Sequence, residues 1–155
     1  MSEIALRLKD VVAATDAYRQ TAARLLGLGV AEATILVHLL HEGPRTPSVL
    51  ARRVGVSPAS ATAQLDRLEL AGNVVRRANP RDRRSILIDL TDQGRELAVR
   101  LFAAYSREVA GSTADVDPAT VERIALVLDR LSHRLEDKAA DEPAMAEALS
   151  GPPST

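Results

Sequence analysis

Between Pro44 and Arg95 the chain carries ten arginines and five acids, a net of +5. Guanidinium heads are permanent, planar and weakly hydrated cations, so such a concentration suits a polyanion such as duplex nucleic acid. The alternative is an arginine-rich solvated surface, since Lys9 and Lys138 are the only lysines beside eighteen arginines and coding bias can supply arginine. A second candidate chemistry is His38-x-x-His41, two imidazoles three apart that can share a helix face, with Glu42 beside them and His133 elsewhere. As a zinc site it lacks further evident ligands, and the chain has no cysteine. The expected metal is therefore none. No Gly-rich phosphate loop, nucleophile elbow or paired acid in a recognisable setting is present, so neither an enzyme nor a cofactor is expected.

Whole-chain composition hides this asymmetry. The 155 residues carry a formal charge of −1, which taken alone argues against a basic polyanion-coating protein. Outside 44–95, however, ten bases meet sixteen acids, a net of −6. A basic middle between acidic flanks is a recurrent footprint of a nucleic-acid-binding face. Absence of cysteine excludes a disulfide framework and a thiol redox centre. No apolar run approaches the roughly 20 residues of a membrane span, and the start does not read as a signal peptide, so a cytoplasmic protein without membrane contact is expected. Tyr18, Phe102 and Tyr105 are the only aromatics, leaving Ala, Leu, Val and Ile to build a helix-leaning core.

Helix starts are marked by a hydroxyl or carboxylate residue before proline at Thr46-Pro47, Ser57-Pro58 and Asp117-Pro118, and by Thr91 before Asp92. Apolar spacing predicts helices over 3–26, 30–41, 47–54, 58–71, 92–110 and 118–138. Val74–Arg77 and Ile86–Leu90 are rich in β-branched residues and read as strands, joined by the turn chemistry of Asn79-Pro80-Arg81-Asp82. Val121, Ile124, Leu128, Leu131 and Leu135 recur at steps of 3, 4, 3 and 4, a coiled-coil-like seam. Four segments follow: 1–43, N-terminal helices serving as scaffold and dimerisation arm; 44–95, the basic core; 96–138, C-terminal dimerisation helices; and 139–155, expected to be a disordered tail.

Ser48 to Ala61 has helix-turn-helix spacing: Ala51 is small at the helix crossing, Gly55 suits a left-handed turn, and Val56 and Ala61 pack back. Two-helix hairpins with a glycine turn also occur as plain packing units. The arginine-tipped hairpin that follows favours a winged helix, a mainly α fold with a small β component. Asn79 to Gly94 then resembles the wing and following helix of the MarR family of bacterial transcriptional regulators, with an acid, any residue and arginine in the wing and Leu90-Thr91-x-x-Gly94 after it. Leu65-Asp66-Arg67-Leu68-Glu69 with Gly72 matches the end of that family's recognition helix. The likeness covers about residues 4–137.

The resemblance implies a homodimer joined through its first and last helices, presenting two recognition helices to a near-palindromic operator in double-stranded DNA. The candidate recognition set is Ser57, Pro58, Ala59, Ser60, Thr62, Ala63, Gln64 and Arg67. Ser60, Thr62 and Gln64 carry donors for base edges, while Pro58, Ala59 and Ala63 offer only apolar contact. Arg84 matches the family arginine that enters the minor groove, with Asp82 orienting the tip and Arg81 and Arg83 as backbone neighbours. Arg45, Thr46, Ser48, Arg52 and Arg53 are candidate phosphate contacts. The resemblance further implies release by a small phenolic or other anionic effector, for which Tyr18, His38, His41, Phe102 and Tyr105 are the candidate pocket. The expected function is a repressor; the alternatives are a winged-helix protein-interaction module with weak DNA binding, or a metal-responsive regulator.

Overall fold

The computed structural model of the protein describes residues 2–150. The elements run α1 (Glu3–Leu25), α2 (Val30–Glu42), α3 (Pro47–Val54), α4 (Pro58–Leu70), β1 (Val74–Ala78), β2 (Ile86–Leu90), α5 (Asp92–Ser112), α6 (Pro118–Ala140) and α7 (Glu142–Ser150). They fall into two compact units, residues 7–107 and residues 2–6 with 108–150. Among the described residues no single helix is long and apolar enough to cross a membrane.

The larger unit is organised around α2. Ile35, Leu36 and Leu39 leave almost no surface exposed and join Leu50 of α3, Leu65 and Leu68 of α4, Val74, Ile88 and Leu90 of the strands, and Ala98 of α5 in one core. Burying each of these larger side chains contributes roughly 1.5–3 kcal/mol before conformational entropy is charged against it. α3 ends at Gly55, which takes φ 70° and ψ 36°, the left-handed conformation that the turn between two crossing helices requires. Ser57 then caps α4, its hydroxyl oxygen accepting from the Ser60 N–H at 3.2 Å. Thr46 holds the equivalent place before α3 but makes no such cap; its hydroxyl meets that of Ser48 at 3.1 Å instead.

β1 and β2 pair antiparallel with Val74 opposite Leu90 and Ala78 opposite Ile86. Arg45 extends the pair by a bridge to Ile88, its N–H donating at 3.1 Å and its carbonyl accepting at 2.8 Å. The hairpin therefore has a backbone attachment to the segment between α2 and α3. Its other end is clamped at the entry to α5, where the Thr91 hydroxyl donates to the Gly72 carbonyl at 2.6 Å and accepts from the Gly94 N–H at 3.0 Å. Gly94 lies so close to residue 73 that a Cβ there would fall 1.8 Å from the Asn73 carbonyl oxygen. The Leu-Thr-x-x-Gly pattern thus has a steric cause.

In the smaller unit, Asp117 caps α6 by accepting from the Thr120 N–H at 2.9 Å; hydrogen bonding from the Thr120 side chain, and then from this N–H, holds its carboxyl below the usual range. The seam residues Ile124, Leu128 and Leu135 remain 46%, 48% and 59% exposed in the single chain. One expectation is corrected here: α6 runs on to Ala140, and 142–150 is the helix α7 rather than a disordered tail. Its Ala, Glu, Met and Leu are strong helix formers, and Asp141 caps its start through the Ala144 N–H. Residues 151–155 lie outside the described part.

Gln64 also departs from expectation. It sits on the inward stripe of α4 with Ala61, Leu65 and Leu68, only 9% exposed, and is turned away from the face that could meet a base edge. Its Nε2 donates to Ser60 Oγ at 3.0 Å, while its Oε1 is buried with no partner among the described residues. The i+3 and i+4 geometry that makes α4 amphipathic is what carries this position into the core.

Two stability measurements follow from these sites. Gly94→Ala should destabilise by about 3 kcal/mol, because backbone must move to admit the methyl group, and lower the thermal midpoint by about 10 °C. A midpoint within a degree or two of the parent would contradict the close approach. Gln64→Leu should raise stability by about 1 kcal/mol by removing a buried, unsatisfied carbonyl. Thermal unfolding followed by circular dichroism reads both, and a lower midpoint for Gln64→Leu would oppose the assigned burial.

Candidate nucleic-acid interface

The outward face of α4 is a short polar and apolar mosaic. Ser57, Pro58, Ala59, Thr62, Ala63 and Arg67 are exposed, and Ser60 is half-buried. Hydrogen bonding constrains what these hydroxyls can offer. The Thr62 hydroxyl donates to the Pro58 carbonyl at 3.0 Å, leaving its lone pairs as the group turned outward. Ser60 accepts from Gln64 and retains its own O–H as a donor. Pro58, Ala59 and Ala63 present methyl and methylene surface suited to thymine methyl groups.

The wing tip is held by local hydrogen bonds rather than by packing. Asn79 accepts from the Arg81 N–H at 3.0 Å and donates to Ser85 Oγ at 2.8 Å. Asp82 accepts from the backbone N–H of Arg84 at 3.0 Å, so its carboxylate shapes the turn without engaging the Arg84 guanidinium. Arg81, Asp82, Arg83 and Arg84 are all exposed, and among the described residues no acid pairs with any of the three guanidinium groups. These cations project from a tip of known backbone shape, an arrangement able to enter a narrow, negative minor groove.

The other arginines of the basic segment are divided by their partners. Arg76 bridges β1 to α4, donating to Asp66 at 2.6 Å and pairing with Glu69, and these acids raise its already high pKa. Arg77 pairs with Asp89 across the hairpin at 3.3 Å. Glu42, at the end of α2, collects Arg45 at 3.3 Å, Arg53 at 3.4 Å and His38 at 3.3 Å. Arg67 donates to Glu32 at 2.6 Å. Arg52 is exposed at the end of α3, and Thr46 and Ser48 lie at that helix's start, where free backbone N–H groups and the positive end of the dipole favour an anion. Sequence reading missed Glu32 and Glu42 as members of this network. A capping-box glutamate three residues after Gly29 was the available signal for Glu32.

On the opposite side of α2 lies a cavity of about 250 Å³. Tyr18, His38, Phe102 and Tyr105 line it together with Thr15 and Arg19. Tyr18 and Tyr105 meet edge to face with centroids 6.0 Å apart. His41 is not in the wall; it stacks edge-on against Phe102 at 4.2 Å. The two helical histidines thus turn to different partners, Glu42 and Phe102, and no group of three metal-ligating side chains lies together among the described residues.

Comparison with known proteins agrees with this arrangement. The MarR family matches residues 26–85. The HTH-type transcriptional regulator YcgE of Bacillus subtilis is 40% identical, with 71% of this chain and 83% of that protein aligned. The crystal structure of apo MarR from E. coli superposes with a TM-score of 0.64 at 21% identity, covering 84% of this chain and 98% of that one. NadR, solved in complex with 4-hydroxyphenylacetate, superposes at 0.72 and 22% identity, covering 86% and 92%. With the winged helix, the clamped Leu-Thr-x-x-Gly turn and a relative of this similarity in hand, the chain belongs to the MarR family of winged helix-turn-helix transcriptional regulators.

Proposed function

We propose that this regulator is a homodimeric, sequence-specific repressor whose release from a near-palindromic operator is triggered by a small aromatic anion. The observation that carries the DNA part is the wing. Three guanidinium groups without acid partners stand beside an outward α4 face of small donors and methyl groups. In this reading Arg84 enters the minor groove, and Arg81 and Arg83 hold adjacent phosphates. Arg52, with Thr46 and Ser48 at the start of α3, contacts the backbone, and Ser60 and Thr62 face base edges. Arg45 and Arg53 contribute positive potential tempered by Glu42. Repression follows from occupancy, since a protein covering both halves of an operator denies that DNA to other proteins.

The exposed seam of α6 supports dimerisation, because apolar surface at this density marks an interaction face. Ile4, Val11 and Val12 of α1 are likewise more than half exposed. For the effector, the cavity joins aromatic walls to His38 and Arg19, and NadR's solved complex with 4-hydroxyphenylacetate supports an aromatic acid. Such a ligand releases DNA only if it binds the DNA-free arrangement more tightly.

Selection of binding sites from a randomised duplex pool tests the reading, and an enriched inverted repeat is the expected product. Arg84→Ala should weaken binding to that site about ten-fold and reduce the salt slope by about one per half-site. Unchanged affinity and slope would remove Arg84 from the interface, whereas weak, salt-insensitive binding by the parent would favour a protein-interaction module. Leu128→Glu should turn the dimer into monomer in sedimentation and abolish tight operator binding; a persistent dimer would exclude the α6 seam. Salicylate should release the parent from its selected site, and release that survives Phe102→Ala unchanged would place the effector elsewhere.

A further inference from the structure

Glu32 lies in the first turn of α2, its side chain only 8% exposed. One oxygen accepts from the Gly29 N–H at 2.8 Å, which fixes the carboxylate at the helix start. The other accepts from Arg67 Nε at 2.6 Å, a partner 35 residues along the chain in the last turn of α4. Both charges stand where the helix dipoles favour them, an acid at an N-terminus and a cation at a C-terminus. Arg67 itself stays 60% exposed while its Nε is held.

We infer that Glu32 is a positioning residue for DNA recognition: through Arg67 it sets the roll of α4, and hence which atoms of Ser60, Thr62 and Ala63 meet the bases. The apolar packing of Leu65 and Leu68 against α2 is strong but weakly directional. A roll of α4 by about 20° keeps such side chains buried yet carries a tip at the helix surface by about 2 Å. That displacement is enough to break a hydrogen bond to a base edge. A 2.6 Å charge-assisted bond from Arg67 Nε to a buried carboxylate opposes such a roll, because its donor is carried on the rolling helix and its acceptor is not. Arg67 is therefore more than a phosphate cation. Its Nε is a fixed pivot, and Glu32, which never touches DNA, determines discrimination between sequences rather than attraction to DNA in general.

The inference rests on DNA recognition by α4, and the test separates the two. The full-length protein is titrated with the duplex selected from the randomised pool and with a shuffled duplex of the same composition, at several salt concentrations. Failure of the parent to enrich any site would overturn the recognition reading itself before any variant is made. Given a selected site, Glu32→Gln should lower the ratio of specific to non-specific affinity about ten-fold, the scale of one misread base pair. Affinity for the shuffled duplex and its salt slope should not fall, because no cation is lost. Arg67→Lys, which keeps the charge but lacks Nε, should also lower the ratio of specific to non-specific affinity, and the double variant should lower it no further than either single one. Glu32→Asp, which retains the carboxylate but withdraws it by one methylene, should shift the ratio in the same direction by less. It serves as the reading if Glu32→Gln does not fold. A lower thermal midpoint with the specificity ratio intact, at a temperature where circular dichroism shows folded helices, would make the pair merely structural and overturn the proposal.

Discussion

The burial of one face of α2, through Ile35, Leu36 and Leu39, is the constraint from which α3, α4 and the hairpin take their positions. Ile35, Leu36 and Leu39 share one core with residues of α3, α4, both strands and α5, so the helix-turn-helix and the hairpin are referenced to one helix. Apolar contact alone would hold these parts together without fixing their angles. Directional bonds supply the angles at the ends of α2, where Glu32 holds Arg67 and Glu42 holds Arg45 and Arg53. Along the wing, the backbone bridge of Arg45 to Ile88 and the Thr91 hydroxyl perform the same service. The result is a scaffold in which nonspecific burial gives stability and a small number of polar ties give orientation.

The cavity lies on another side of that same helix. Thr34, Val37 and His38 face it while neighbouring residues of α2 face the core, so anything that occupies the cavity presses on the element that references α3 and α4. His38 belongs both to the wall and to the Glu42 cluster. A ligand that draws on His38 therefore competes with a carboxylate already shared by two arginines.

Most of the fold was legible in the sequence because its signals are local. Ser57-Pro58 and Asp117-Pro118 announce their helices through cap bonds that span three residues. Gly55 and the Leu-Thr-x-x-Gly run mark backbone conditions that other residues cannot meet. What was not legible depends on distance or on rotation about a helix axis. Nothing near Glu32 in the chain indicates that it meets a residue 35 positions later. The charge tally assigned it to an acidic flank, whereas in space it lies against the basic core. Gln64 was misread for the second reason: its chemistry suits a base edge, but its place on the stripe with Ala61 and Leu68 turns it inward. The 142–150 helix was missed because proline and acid content outweighed the run of Ala, Met and Leu in the reading.

Every cation in the basic segment is an arginine; the two lysines stand at positions 9 and 138. Guanidinium does not lose its proton at any pH a cell attains, and it is not a substrate for lysine acylation. The positive charge that arginine gives the wing and α3 is thus fixed chemically once the chain is made. Neither acidity nor acetyl transfer removes these positive charges. What can still change is where these charges stand, not whether they are charged.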